Sequence, residues 1–342
     1  MGALRKLKSS VAAVYDRRNE SVLSSSAVID RRYRKRRSTR GAALMLSLWA
    51  LFLLSAMVIS WALDIDTRLT LSGHATRSLE AEALACSGAE IALHPAVKAG
   101  SVLLHGSFGP GKTFRTRITG EAGRFNLNGF ATALIQGDQQ RLEVLKKYLE
   151  LKGVELDERD RMIDCLLDWV DADNVERLNG AEEGPGYKPP NRLLQRIEEV
   201  KRIKGWEEFT SKEDWDADFT INTQQSLNKI DPTWASRDVL LSLPGMTEPL
   251  VDQFLTLRRG PDGIEGTEDD AVFHSLTEVL TALGYPQPVQ NQVAGLIGFN
   301  EDPTMRVISE GKSGDVTRIV RMLIRKAGTN SIQLVPGTWK EL

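Results

Sequence analysis

The 342-residue sequence predicts an α+β protein in which a long N-terminal transmembrane helix packs on a small antiparallel sheet, with a large all-α domain inserted between strands of that sheet. Three patterns predict this class. Residues 42–63 carry no charge, residues 114–119 alternate with a period of two, and the helical spacing of residues 130–298 gives way to strand-like runs after residue 304. Strands on both sides of a helical block are typical of a sheet interrupted by an insertion.

The N-terminal region combines a basic block with the uncharged run. Residues 1–40 contain 12 Lys and Arg against three Asp and Glu, a net charge of +9, and the overall charge of −2 leaves −11 for the remainder. As a helix, residues 42–63 span about 33 Å, which matches a hydrocarbon core about 30 Å thick. Because positive charge marks the cytoplasmic side of a span, the sequence predicts a single-pass membrane protein with its N-terminus inside and its bulk outside, which in a bacterium is the periplasm.

The remaining elements follow from spacing and punctuation. Small and apolar residues recur every three or four positions from Ala75 to Leu93, so the long helix is predicted to reach about His94. A strand over residues 114–119 follows a glycine-rich turn. Further helices are predicted at 138–152, 157–170, 191–204, 235–242, 247–259, 275–283 and 286–297, and further strands at 305–310, 316–326 and 331–339.

These elements divide the chain into five parts. The predicted parts are a basic segment (1–41), the transmembrane part (42–63) and the periplasmic part (64–98) of the long helix, an α+β domain (99–129 with 301–342), and an inserted helical domain (130–300). The inserted domain contains a segment similar to a helix-hairpin-helix.

Residues 106–113, GSFGPGKT, fit the phosphate-loop pattern. That pattern requires a helix directly after the loop. Here a predicted strand follows, and Pro110 removes one amide from the phosphate cradle. A glycine-rich hairpin turn is therefore favoured, no nucleotide cofactor is expected, and a membrane-tethered ATPase is the weakest function considered.

Residues 243–247, LPGMT, followed by an apolar helix, are similar to the helix-hairpin-helix of DNA-binding proteins. Thr247 replaces the second glycine of that motif, and the acidic Glu248 and Asp252 follow. A structural hairpin is therefore favoured over a nucleic-acid contact. The acidic charge beyond residue 40 also argues against a polyanionic ligand there.

Two acidic loops are candidate cation sites. The first contains Asp168, Asp171, Asp173, Glu182 and Glu183, and the second contains Asp262, Glu265, Glu268, Asp269 and Asp270. Calcium prefers several hard oxygen ligands on a flexible turn, and carboxylates this close repel one another. Neither loop has the spacing of an EF-hand, and solvated acidic loops are an interpretation of nearly equal weight.

The sequence offers no catalytic constellation, and an enzyme is not predicted. The four histidines lack metal-ligand spacing, and no serine lies in a nucleophile-elbow context. Two cysteines, Cys86 and Cys165, are too few for a disulfide framework. They are expected to be small buried apolar side chains.

Five short segments and their order along the chain are informative when taken together. They are RGAAL at 40–44, EAGRFNLN at 121–128, DWVDAD at 168–173, NGAE at 179–182 and LLSLPG at 240–245. Together they resemble the minor pseudopilins of the bacterial type II secretion system, specifically the K class. The resemblance runs from about residue 35 to the C-terminus. It implies a pilin-type helix and sheet with a helical insertion, a position at the tip of the pseudopilus, and a contribution to the export of folded periplasmic proteins across the outer membrane.

The resemblance also implies a processing site. A prepilin peptidase would cut between Gly41 and Ala42 and methylate the new amine of Ala42. Most pseudopilins carry a glutamate five residues after the cut, where this chain has Leu46, and the K class characteristically lacks that glutamate. A carboxylate in lipid is costly without a partner, and a subunit at the tip has no subunit above it to supply the pairing amine.

The implied partners are the other minor pseudopilins, the major pseudopilin, the prepilin peptidase and the inner membrane, with no nucleic acid. K-class members bind calcium in their helical domain, and the resemblance carries this role to the five acidic residues of the first loop. The alternative left open is a membrane-anchored nucleic-acid-binding protein or minor pilin of a type IV pilus or competence system.

Overall fold

The computed structural model describes residues 39–222, 228–263, 265, 267, 269–326 and 331–342. The chain forms two compact units, of which the first ends at Asp66 and the second runs from Thr67 to Leu342. Most of the predicted basic segment lies outside the described residues. The predicted division at residues 98, 129 and 300 stays a prediction.

Helix α1, Thr39–Ala92, is long and apolar enough to cross a membrane, judged by length and composition. In the first unit its large apolar side chains from Leu44 to Leu63 are exposed. The helix ends two residues before the predicted His94, because Pro95 disfavours helical backbone at the residue before it.

The sheet of the second unit joins strands from distant parts of the sequence. Its order is β1-β2-β5-β6-β7, with β8 also on β6, and the neighbours are antiparallel. The strands are β1 His105–Ser107, β2 Lys112–Gly120, β5 Thr304–Ser313, β6 Val316–Lys326, β7 Ile332–Leu334 and β8 Lys340–Glu341. Since β2 pairs with β5 along its whole length, the intervening helices are inserted between adjacent strands. The predicted α+β class is confirmed.

Small residues let the end of α1 lie close to the sheet. Ala85, Ala89 and Ala92 are fully buried in one cluster with apolar side chains of β2, β5 and β6. Gly311 of β5 lies directly beneath the helix, where an added Cβ atom would overlap the backbone of Ala81 and Ala85. The helix–sheet distance therefore depends on the absence of a side chain at Gly311.

The helical block has its own aromatic core. Its elements are α2 Leu127–Ile135, α3 Gln139–Leu151, α4 Leu156–Val170, α5 Glu207–Thr210, α6 Arg237–Ser242, α7 Glu248–Arg258, α8 Leu276–Ala282 and α9 Gln287–Val293, with a short parallel pair β3 Phe125–Asn126 and β4 Phe219–Thr220. Phe125 lies at the centre, with ring centroids of Tyr148 at 4.8 Å and Phe130 at 5.2 Å in edge-on geometry. Edge-to-face packing of this kind stabilises a core beyond its buried area.

The predicted helix over 191–204 is wrong. Only a 3₁₀ helix, Ile197–Arg202, is present there. The buried Asn128 side chain engages the backbone of Leu194 instead, accepting from its N–H at 2.8 Å and donating to its carbonyl at 2.9 Å. A residue whose two backbone groups are held by a side-chain amide cannot also form helical hydrogen bonds.

Other elements also differ from prediction. Helix α2 is missed by the spacing argument, although Asn126 caps it by accepting from Gly129 N–H at 3.1 Å. Helix α9 ends at Val293 rather than at 297, because the chain beyond it pairs with Ile230. The predicted strand 331–339 is reduced to β7, since Gly337 adopts φ 76° in a turn that leads to β8.

A buried ionic cluster lies between the sheet and the helical block. Glu121, which follows β2 and is fully buried, accepts from Arg306 Nε at 2.9 Å and Nη2 at 2.7 Å, and from Arg124 Nη1 at 3.3 Å. Arg306 of β5 also donates to the carbonyl of Phe219 at 3.3 Å. Burial alone would raise the pKa of Glu121, but the charges of Arg306 and Arg124 outweigh it and hold this pKa below its ordinary value. The cluster joins both halves of the second unit.

Both cysteines are free. Cys165 is buried in α4, and burial raises the pKa of its thiol to about 11. Cys86 of α1 is half-buried against the sheet core. The predicted buried apolar role agrees with the position of Cys165, whereas Cys86 is buried only in part.

Candidate functional site

The predicted processing site lies in the first unit, near the start of α1. Gly41, Ala42 and Leu46 are all exposed in this unit, Leu46 to 70%. A Cβ atom added at Gly41 would meet nothing within 4 Å. Among the described residues there is therefore room for a β-carbon at Gly41.

The glycine-rich segment 106–113 forms the predicted hairpin turn. Strands β1 and β2 pair across it, and Phe108 N–H donates to the carbonyl of Lys112 at 2.9 Å. The Lys112 ammonium donates to Glu80 of α1 at 2.7 Å. The segment thus leads into a strand, without the helix that a phosphate loop requires.

The segment similar to a helix-hairpin-helix is formed by α6, residues 243–247 and α7, with Gly245 at φ 75°. Arg237 of α6 is engaged by acids of the same hairpin, with Nε 2.9 Å from Asp252 and a guanidinium nitrogen 3.6 Å from Glu248. The predicted structural hairpin is present. Arg237, the basic side chain of this hairpin, is paired with acidic residues.

The first acidic loop follows helix α4 and is organised around a buried carboxylate. Asp168 is fully buried and accepts from Ala181 N–H at 2.8 Å and from Arg177 N–H at 3.3 Å. Arg177 Nη1 also donates to Asp168 at 2.6 Å and forms an ion pair with Asp171. Because Asp168 and Asp171 lie three residues apart, both carboxylates face the same side of the chain at the helix end. The guanidinium of Arg177 lies between them.

Other oxygens of this loop have no such partner. Asp171 is only 7% exposed, and its Oδ1 is closed off from solvent without a hydrogen bond. Both carboxylate oxygens of Glu182 are in the same condition. Burial, followed by the charges of Asp168, Asp171 and Asp173, raises the pKa of Glu182. The single positive charge of Arg177 therefore does not neutralise all the acidic charge of this loop.

The other two predicted ligands lie nearer to the solvent. Asp173 is exposed and accepts from Val175 N–H at 2.9 Å. Glu183 is exposed and pairs with Lys188 at 3.1 Å. The structure thus joins the buried Asp168 and Asp171 through Arg177, places the half-buried Glu182 within their electrostatic influence, and leaves Asp173 and Glu183 exposed.

The donor set fits a hard cation by its chemistry, because carboxylate oxygens are the ligands calcium prefers and shielded, unbonded oxygens are costly. Within the part of the chain that the structure describes, however, no three His, Cys, Asp or Glu side chains are arranged as a metal site. Arg177 occupies the space between the two aspartates. Arg177 lies outside the predicted ligand set, although a single basic side chain within an otherwise acidic stretch is a visible signal.

The second acidic loop is engaged by the protein itself. Glu265 pairs with the buried Arg258 at 2.8 Å, and Asp269 accepts from Asp262 N–H at 3.0 Å and from Thr267 Oγ1 at 2.7 Å. Asp270 is half-buried in the same loop, and Glu268 lies outside the described residues. A cation at this loop stays a prediction.

Comparisons with known proteins agree on one family. Residues 123–212 match the family model described as Type II secretion system (T2SS), protein K. The chain is 27% identical over 246 residues to the Type II secretion system protein K of Pseudomonas aeruginosa PAO1, an alignment covering 66% of this chain and 64% of that protein. The match thus spans just under two-thirds of the relative's length.

A solved structure is also similar. It is the crystal structure of the GspK-GspI-GspJ complex from the type 2 secretion system of enterotoxigenic Escherichia coli, matched at 13% identity and a TM-score of 0.48 over 79% of this chain and 97% of that one. The matched family model covers residues 123–128 of the EAGRFNLN segment and the first acidic loop. It also covers Phe125, Phe130 and Tyr148 of the aromatic core. The predicted resemblance to the K class of the type II secretion system is therefore confirmed by the family model and the curated relative.

Proposed function

We propose that this chain is a minor pseudopilin that forms or caps the tip of a type II secretion pseudopilus and contributes to the export of folded periplasmic proteins across the outer membrane. The observation that carries the proposal is the match of residues 123–212 to the family of protein K. The apolar first part of α1 supports it, because a filament subunit needs a helix that leaves the membrane and packs with others.

The position at the tip rests on two features of this chain. Leu46 stands where a pairing carboxylate would be needed in a subunit with another above it. The helical block inserted between β2 and β5 adds bulk that would obstruct stacking of a further subunit. The proposed partners are other minor pseudopilins, as in the E. coli complex, and the major pseudopilin. The proposed location is the inner membrane, with most of the chain in the periplasm.

Processing by a prepilin peptidase gives the direct test. We expect co-expression with that peptidase to yield a product that begins at a methylated Ala42, as read by mass and N-terminal sequencing. Gly41→Leu should abolish the cut. Since a Cβ atom at Gly41 meets nothing within 4 Å among the described residues, loss of cleavage would report recognition rather than misfolding.

A matched control lies on the same helix. Gly73 also has room for a side chain, its nearest neighbour being the flexible end of Arg77 at 3.7 Å. Gly73→Ala should be processed like the unmodified chain. A product that still carries residues 1–41 in the presence of active peptidase would contradict the proposal.

We further propose that the first acidic loop takes calcium through Asp168, Asp171, Asp173 and Glu182. A bound divalent cation would supply positive charge to the shielded oxygens of Asp171 and Glu182. This chain's own part is to hold Asp168 in place through the Arg177 and Ala181 amides. Glu183 is a weaker candidate, because it pairs with Lys188 in solvent.

We expect calcium to raise the thermal midpoint of the full chain in detergent relative to chelator, since a ligand of the native state stabilises it. Gly180→Ala should lower stability by about 1–3 kcal/mol and weaken the calcium effect, because the new methyl group would overlap the Asp168 carboxylate. Gly184→Ala, in the same loop with nothing within 4 Å, is the matched control. An equal midpoint with calcium and with chelator in the unmodified chain would refute a calcium site.

A further inference from the structure

We infer that Arg177 is an internal cation that competes with a divalent metal ion for Asp168 and Asp171, so that the loop is held by the arginine without calcium and by calcium when the arginine is displaced. The inference rests on the proposed calcium site and adds a residue that opposes binding.

The Arg177 guanidinium lies between the carboxylates of Asp168 and Asp171. Arg177 Nη1 bonds Asp168 Oδ1 at 2.6 Å and the same nitrogen pairs with Asp171 Oδ2. Because a single nitrogen bridges the two carboxylates, it occupies the point where a shared cation would have to lie. The arginine side chain is 28% exposed, so it has a route into solvent that its buried partners lack.

The Arg177 guanidinium leaves other carboxylate oxygens of the loop without hydrogen bonds. Its donors lie in a rigid plane and carry one charge. Asp171 Oδ1 and both oxygens of Glu182 remain shielded and without hydrogen bonds. A hard divalent cation accepts six to eight oxygens in flexible geometry, so it would satisfy oxygens that the arginine does not reach.

A metal ion and the Arg177 guanidinium cannot bind the two aspartates at the same time. The metal ion and the guanidinium require the same oxygens of Asp168 and Asp171, and two cations cannot share them without strong repulsion. Arg177 also anchors the loop by its own backbone, since its N–H donates to Asp168 Oδ2 at 3.3 Å. Displacing the side chain therefore need not release the backbone from the site.

The test compares calcium affinity in two charge-removing variants of the full chain in detergent, measured by titration calorimetry with calcium chloride. Arg177→Gln should tighten calcium binding by roughly tenfold to a hundredfold, the range expected when charged hydrogen bonds no longer compete. Lys188→Gln removes a charge from the same loop but from the exposed Glu183 pair. It should change the affinity by less than about twofold, as befits a screened surface charge.

A second readout follows the loop without calcium. In chelator, Arg177→Gln should unfold at a lower temperature than the unmodified chain, and calcium should restore the midpoint. If Arg177→Gln binds calcium no more tightly, or if calcium does not restore its unfolding midpoint, the arginine is a structural element that calcium does not replace, and the inference is wrong. Were neither the unmodified chain nor the variant to bind calcium, the calcium site itself would fail, which is a distinguishable result.

Discussion

Glu121→Gln is expected to lower the free energy of unfolding of the second unit by about 3–5 kcal/mol, the range found when one partner of a buried ion pair is removed. Glutamine keeps the shape of glutamate but removes its charge. Arg306 and Arg124 would then face each other's positive charge beside a fully buried position. Denaturant unfolding followed by tryptophan fluorescence would measure the loss.

The pH dependence gives this prediction its own signature. The pKa of Glu121 is lowered in the folded state, so its contribution is fully present above the unfolded carboxyl pKa of about 4.3 and is lost as the pH falls through the lower folded value. The difference between Glu121→Gln and the unmodified chain should therefore shrink below about pH 4. Glu143→Gln, at an exposed position of α3, should cost no more than about 0.5 kcal/mol. An equal cost for both variants at pH 7 would show that the buried charge does not stabilise the fold.

Gly311→Val is the second change with a large expected effect, a loss of about 3 kcal/mol or more, at the upper end of overpacking costs. The new side chain would overlap the carbonyl oxygen of Ala81 and the amide nitrogen of Ala85. These are backbone atoms of α1, so no rotamer change can make room for it. The helix must move away from the sheet and expose the alanines buried against β5.

Thermal unfolding monitored by circular dichroism would measure this loss. Lys312→Val is the matched control, since it puts the same side chain one residue further along β5, on the exposed face. It should leave the midpoint nearly unchanged. A Gly311→Val variant as stable as Lys312→Val would mean that the helix does not lie on the sheet at this distance.

The order of elements could be predicted from the sequence because each rests on a local signal. The uncharged run, the alternation at 114–119 and the glycine and proline punctuation of the helical block are all visible within short windows. Strand β6, Val316–Lys326, has the predicted bounds, and α3 and α4 lie within one residue of theirs. The long pairing of β2 with β5 is consistent with these signals but is not encoded in any one of them.

What could not be predicted depends on contacts between distant residues. Asn128 prevents a helix at Leu194 through a buried amide contact across 66 positions, which no local propensity reports. The pairing of Glu121 with Arg306 joins residues 185 positions apart. At the acidic loop the candidate ligands were visible in the sequence, but the bridging position of Arg177 appears only when the loop is folded.

The pairing of β2 with β5 also has a consequence for biogenesis. Strand β2 is synthesised soon after α1, yet its partner lies some 190 positions further along the chain. Such a high contact order delays closure of the sheet until β5 has been synthesised, while the helical block can collapse on contacts of its own. Until β5 arrives, β2 presents an open strand edge, the kind of surface that recruits chaperones or wrong partners. The helical block is therefore synthesised before the strand that completes the pairing of β2.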